Sequence, residues 1–254
     1  MRKRLKPNLA NLRRLQLAHV LQIPFENLDI HAKIPIELDI HRIYSKIITG
    51  KRGGFCYELN GLFYELLLNL GYEVRRISAR VYSIEKGFSP EFDHMALIVT
   101  IEGQNYLSDV GFGEFSFGPL ALHWPSQQED PRGIFHIDEH AEDYICISKT
   151  DETGHKAPEY KFKFKARAFE DFQEMCRFQQ DDPNSHFRAK PLISMATAKG
   201  RITLAGHELK IKRGENMVVR KIKDQVAFNK AAWKYFRLRV PPLVDTGALN
   251  KTGD

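Results

Sequence analysis

The hydrophobic period of this chain changes at Gly71, and that change limits what it can become. Before it, Leu59, Leu62, Phe63, Leu66, Leu67 and Leu70 recur at i, i+3, i+4, i+7, i+8 and i+11, one face of a helix. Gly71 stands where a helix C-terminal cap belongs. After it, residues 74–83, 94–101, 104–110, 136–147 and 160–168 read as strands, separated by Gly, Pro, Asp and Asn. Successive strands joined by turns predict an antiparallel sheet or a small barrel. Upstream, Leu9, Leu12, Leu15, Leu17 and Val20 are loosely periodic, Pro24 stops that helix, and 41–49 reads as another. Downstream, 170–178 is expected to be a short helix, 192–197, 201–204 and 208–211 strands, and 224–237 a helix. Helices, then strands, then a mixed end give an α+β protein.

The rest of the composition narrows the function. With 254 residues, 43% hydrophobic and 28% charged, the chain can bury a core and is not disordered by composition. No apolar run approaches the ~18–20 residues of a membrane span. Residues 1–16 are basic without an apolar stretch behind them, so they are not a secretory signal. A soluble cytoplasmic protein is expected. Cys56, Cys146 and Cys176 form no CxxC or Cys/His metal spacing, which predicts neither disulfides nor a metal site. Cys146, in an alternating strand-like run, and Cys176, in a helical one, read as core residues. The net charge of +6 gathers partly at 2–6 and 210–223. Neither run carries interleaved aromatics, so a solvated basic face is expected rather than nucleic-acid binding. Such a face also attracts polyanionic small molecules.

Cys56 differs from the other two cysteines. It follows Gly50-Lys51-Arg52-Gly53-Gly54-Phe55 and opens the amphipathic helix. The positive end of a helix dipole favours thiolate, the reactive form of a cysteine. The two glycines allow close backbone approach and are expected to leave room for a substrate beside the sulfur. A histidine would complete the activation. His94 lies at the mouth of an apolar strand, and Asp109 ends another, where a carboxylate can orient an imidazole. Spacing does not choose between Asp109 and Glu114. With 102–105 as the hairpin turn, Asp109 faces Ile98, leaving His94 roughly 13 Å further along at ~3.3 Å per residue.

Four segments together resemble the arylamine N-acetyltransferase family. They are Ile23-Pro24-Phe25-Glu26-Asn27-Leu28, Arg52-Gly53-Gly54-Phe55-Cys56-Tyr57-Glu58-Leu59-Asn60, His94-Met95-Ala96-Leu97 and Asp109-Val110-Gly111-Phe112-Gly113, in the family's order. The cysteine segment is the most specific. Residues 183–187 and 201–204 look like weaker family features. The resemblance implies a cysteine-protease-like arrangement: a helical bundle over 1–76 carrying the nucleophile, an antiparallel β-barrel over 77–178 carrying His and Asp, and an α/β lid over 179–254. It implies Cys56 as nucleophile, His94 as base and Asp109 as orienter. It further implies acetyl-CoA as donor and aromatic amines or hydrazines as acceptors, with no metal, no nucleic acid and no membrane. By the same resemblance Arg52 and Glu26 pair as structural support. Phe25, Phe112 and Phe187 are candidates for an acceptor pocket, and Gly111 and Gly113 for close approach of coenzyme A. Ordinary packing and a tight turn account for these five equally well. The chain begins about one helix later than is usual in the family, and 241–254 reads as a disordered tail. An amide synthase with a larger acyl donor, or a transglutaminase-like cysteine hydrolase, would use the same triad. The Pro-Phe-Glu-Asn-Leu segment speaks against the hydrolase. A degenerate, non-enzymatic binding protein would be expected to have lost one of the three triad residues, and all are present. Oligomeric state is not legible.

Overall fold

The computed structural model describes residues 5–151 and 153–244. In chain order the elements are α1 (Leu9–Gln22), β1 (Phe25–Glu26), α2 (Leu28–His31), α3 (Ile40–Tyr44), α4 (Cys56–Leu70), β2 (Glu73–Ser83), β3 (Gly87–Phe88), β4 (His94–Ile101) and β5 (Gln104–Ser108). There follow β6 (Leu120–Ala121), β7 (Ser126–Asp130), β8 (Gly133–His140), β9 (Tyr144–Thr150), β10 (Lys156–Arg167) and α5 (Gln173–Asp181). The last elements are β11 (Leu192–Thr197), β12 (Gly200–Ala205), β13 (Glu208–Arg213), β14 (Asn216–Lys221) and α6 (Gln225–Phe236). The class is α+β, as expected. Among the described residues no helix is long and apolar enough to cross a membrane. Two compact units account for the chain: Met1–His19 with Asn60–Phe172, and Val20–Leu59 with Gln173–Asp254.

The first unit is a nearly closed antiparallel barrel in the order β6-β5-β4-β2-β10-β9-β8-β7. Alternate residues of its strands, among them Ile77, Ala79, Ala96, Ile98, Phe135, Ile147, Tyr160 and Phe162, fill the interior. The end strands β6 and β7 share no ladder. Gln128 of β7 closes the seam instead: its Oε1 accepts from Ala121 N (2.8 Å) and its Nε2 donates to Ala121 O (2.7 Å). A side-chain amide carries a donor and an acceptor side by side, so it stands in for one pair of ladder bonds.

Two turns correct the sequence reading. Between β4 and β5 the turn is only Glu102-Gly103, both at positive φ (51° and 80°), the two-residue form that matches strand twist. Ile101 therefore pairs with Gln104 and Leu97 with Ser108, shifting the register from the one a 102–105 turn would give. The segment 136–147 is the hairpin of β8 and β9, which turns at Glu142 and Asp143, both at positive φ. His140-Ala141-Glu142-Asp143 contains no Gly, Pro or Asn to announce a turn.

The second unit holds the antiparallel sheet β1-β11-β12-β13-β14. Its core joins Leu28, Ile193, Leu204 and Leu209 with Phe228, Ala232 and Phe236 of α6. Asp224 caps α6 by accepting from Ala227 N (2.7 Å), and Arg237, in the left-handed region, ends it. Val244 N donates to His31 O (3.0 Å), tying down the described end of the chain. The remainder of the tail read as disordered, 245–254, lies outside the described residues.

Candidate active site

α4 begins at Cys56, and its first internal bond runs from Leu59 N to Phe55 O (3.0 Å), so Phe55 occupies the capping position. Glu58 reaches back to accept from Phe55 N (3.2 Å), the carboxylate half of a capping box. The glycines before it serve the chain's own packing. A Cβ on Gly53 would lie 2.0 Å from Pro24 O, and one on Gly54 would lie 2.8 Å from the Glu58 side chain. Glu26 N bonds Gly54 O (3.0 Å) across the same contact. The room that sequence reading gave to a substrate at these glycines is taken by the Pro24–Glu26 backbone and Glu58.

A buried ionic network braces this loop. Arg52 donates through Nε to Glu26 Oε1 (2.9 Å) and through Nη2 to Asp29 Oδ1 (2.8 Å). The expected Arg52–Glu26 pair is there, and Asp29 joins it. Lys46 Nζ lies 2.8 Å from Glu58 Oε1, 2.8 Å from Asp29 Oδ2 and 4.0 Å from Glu26 Oε1. Glu26 Oε2 also accepts from Leu28 N (2.7 Å). Burial alone would push Asp29 up, but Lys46 and Arg52 hold its carboxyl below the usual range. Burial pulls Lys46 down, and the three carboxylates overcome it, raising Lys46 well above an ordinary lysine. Burial dominates at Glu58, whose carboxyl is raised despite Lys46.

His94 and Asp109 stand on the barrel. In the observed register Asp109, one residue past β5, falls opposite Ala96, two residues from His94 and on the same face. Such diagonal neighbours lie about 7–8 Å apart, within side-chain reach. His94 Nε2 and Asp109 Oδ2 are 2.7 Å apart, and both residues are buried. Asp109 Oδ1 accepts from Asn60 Nδ2 (2.9 Å), Gly111 N (2.9 Å) and Phe112 N (3.1 Å), and Oδ2 also accepts from Tyr160 OH (3.1 Å). Burial raises the Asp109 carboxyl, but the charge and hydrogen bond of His94, with Asn60 and Gly111, bring it below the usual range. An ionised Asp109 places a proton on His94 Nε2 and leaves Nδ1 as the nitrogen that can exchange one. Glu114 is not the partner of His94. Its half-exposed carboxylate lies 3.9 Å from Arg132.

Phe25 and Phe187 meet at 5.9 Å between centroids, with Phe55 6.0 Å from Phe187. Asn27 Nδ2 secures that turn through Phe187 O (2.7 Å) and Lys190 O (3.0 Å). Phe112 belongs to the barrel unit, where its ring packs edge-on against His94 at 5.1 Å. Gly111 is part of the turn that wraps Asp109. A Cβ on Gly113 would meet nothing within 4 Å, and its φ lies outside the left-handed region. Neither crowding nor backbone geometry requires glycine there.

Sequence reading missed Asn60, Tyr160, Lys46, Asp29, Glu58 and Gln16. Asn60 follows Cys56 by one helical turn and was a legible signal, a polar residue in an apolar helix. Gln16 bridges the ends of the Asp109 loop, accepting from Ser108 Oγ (2.7 Å) and donating to Ser116 O (3.4 Å). Nothing local to Gln16 or Tyr160 announced them.

A family model described as N-acetyltransferase matches residues 8–244. Arylamine N-acetyltransferase 1 of Homo sapiens is 31% identical over 230 residues, covering 84% of this chain and 79% of that protein. The chain belongs to the arylamine N-acetyltransferase family. Arylamine N-acetyltransferase of Mycolicibacterium smegmatis is 32% identical over 214 residues, covering 82% of this chain and 77% of that protein. Among solved structures, arylamine N-acetyltransferase from M. tuberculosis superposes with a TM-score of 0.87 at 28% identity, covering 98% of this chain and 94% of that one. The Mycobacterium marinum arylamine N-acetyltransferase in complex with CoA gives 0.86 at 29%, covering 96% and 91%. Among the described residues of this arylamine N-acetyltransferase family member, no group of three or more His, Cys, Asp or Glu is placed to hold a metal ion.

Proposed function

We propose that this chain transfers the acetyl group of acetyl-CoA to arylamines, arylhydrazines or related amines in two half-reactions joined by an S-acetyl Cys56 intermediate. The observation that carries this reading is the buried His94–Asp109 pair at 2.7 Å, with Asp109 held ionised. In the first half-reaction the Cys56 thiolate attacks the thioester carbonyl. The bond from carbonyl carbon to coenzyme A sulfur breaks, and the departing sulfur takes the proton stored on His94. In the second, the amine attacks acetyl-Cys56, His94 accepts the proton lost by nitrogen, and the Cys56 thiolate is restored. Exchange of one thioester for another changes little free energy, so the enzyme supplies thiolate, orientation and oxyanion stabilisation. Backbone N–H groups at the start of α4 suit the last of these.

Phe25, Phe187 and Phe112 are the proposed wall for an aromatic acceptor. Gly113, and with it Gly111, is the proposed place where coenzyme A approaches the backbone, since the chain's own packing does not account for glycine at 113. A reactive thiolate is best kept in a reducing compartment, and the cytoplasm is the proposed location.

Incubation with acetyl-CoA alone, followed by digestion and mass spectrometry, should find one acetyl group on the Cys56 peptide, released on adding an arylamine. Folded protein without that adduct would overturn the reading. Preferential loading from a longer acyl-CoA would recast the chain as an amide synthase.

A further inference from the structure

We infer that Lys46 is a positioning residue: it sets the charge around the start of α4 and thereby the reactivity of Cys56. The inference rests on the reading of Cys56 as nucleophile. Lys46 sits on the π-helical turn Ser45–Thr49, and its mostly buried ammonium faces carboxylates from β1, α2 and α4. Arg52 faces two of the same three. Glu26, Asp29 and Glu58 against Lys46 and Arg52 leave one net negative charge when all are ionised. Arg52 already provides the brace between the loop and β1. Lys46 adds something different, because its partner Glu58 is the residue bonded to Phe55 N, directly before Cys56.

That placement puts two anions at one helix end. The positive pole of α4 favours negative charge, and both the Glu58 carboxylate and a Cys56 thiolate draw on it. Lys46 neutralises the first and so leaves the pole to the second. In a site screened from water, one unit charge about 10 Å away moves an ionisation by about one pH unit. Among the described residues, the charged groups facing this helix start within its unit include Glu26, Asp29, Lys46, Arg52 and Glu58, the Cys176 thiol also feels Glu58 and Lys46, and His94 is the proposed partner of the sulfur.

The test is a charge ladder read on Cys56 itself. Iodoacetamide labelling of the Cys56 peptide is followed against pH in the full chain without acetyl-CoA. Lys46→Met makes the network one charge more negative and should raise the labelling midpoint by about one pH unit. Glu58→Gln makes it neutral, keeps a carbonyl acceptor for Phe55 N, and should lower the midpoint. The double variant restores the original net charge and should return close to the parent. A common midpoint in all four proteins, or a double variant no nearer the parent than Lys46→Met, would overturn the inference. If Lys46→Met does not fold, as thermal unfolding will report, Glu58→Gln and the double variant still decide, since they must move in the stated order. The labelling uses no acetyl donor, so a failed ladder and a failed acetyl adduct are separate results.

Discussion

Among the described residues two buried sites hold carboxylates, Asp109 in one and Glu26, Asp29 and Glu58 in the other, and they do it in opposite ways. On the barrel, Asp109 takes bonds from Asn60, Gly111, Phe112, Tyr160 and His94. Burial, and then the Asp109 charge, push the Tyr160 hydroxyl far above its ordinary ionisation, so Tyr160 stays a neutral donor like Asn60 and the two backbone amides. In the other unit, Glu26, Asp29 and Glu58 share Lys46 and Arg52, two cations locked in the charged state. Neutral donors around one charge let a single proton move. Ion pairs around several charges hold Lys46, Arg52 and Asp29 in their charged forms. The first arrangement suits a group that must titrate during turnover, the second a loop that must not move.

The contrast can be broken at its most sensitive point first. His94→Gln keeps a side-chain amide but removes the imidazole proposed to carry the proton, so acetyl transfer should fall by about 10²–10⁴-fold with little change in thermal stability. Arg52→Met should do the reverse. It strands Glu26 and Asp29 without one of their cations, and denaturant unfolding should record a loss of about 3–5 kcal/mol. Tyr160→Phe removes one of the neutral donors around Asp109 and should cost about tenfold in kcat/KM, equivalent to about 1.4 kcal/mol. A collapse to the level of His94→Gln would show that the neutral shell is not shared among its members. Glu114→Gln should change kcat/KM by less than about twofold, since its carboxylate is half-exposed and 3.9 Å from Arg132, a pair that water screens. Equal losses in Glu114→Gln and Tyr160→Phe would reassign the partner of His94.

Much of this was legible in the sequence where a local cause was at work. The amphipathic repeat of α4, its end at Gly71 and the strand 94–101 were read from periodicity, and the structure gives β4 as His94–Ile101. Counting does not separate Asp109 from Glu114, because register inherits the turn: a turn of 102–105 and the observed turn at Glu102-Gly103 differ by two residues in the partner they give each position of β5. β7 is polar throughout and carries no apolar signal, whereas β14 holds Met217, Val218 and Val219 in one run without the alternation of a half-buried strand. Lys46, Asp29 and Tyr160 stand among ordinary neighbours in sequence and acquire their meaning only from long-range packing. The two units are themselves assembled from separated stretches, which no pass along the chain can locate.

The seam of the barrel has a consequence for solubility. β6 and β7 share no ladder, and the Gln128 amide takes up the Ala121 N–H and C=O that a neighbouring strand would otherwise pair. Opened, the same strands would be two raw sheet edges, each a template for a strand from another molecule. Gln128→Glu exchanges the donor that meets Ala121 O for a charged acceptor. The barrel interior and the His94–Asp109 pair are untouched by that change, so its signature is a protein that keeps its activity per folded molecule while its concentrated solutions self-associate.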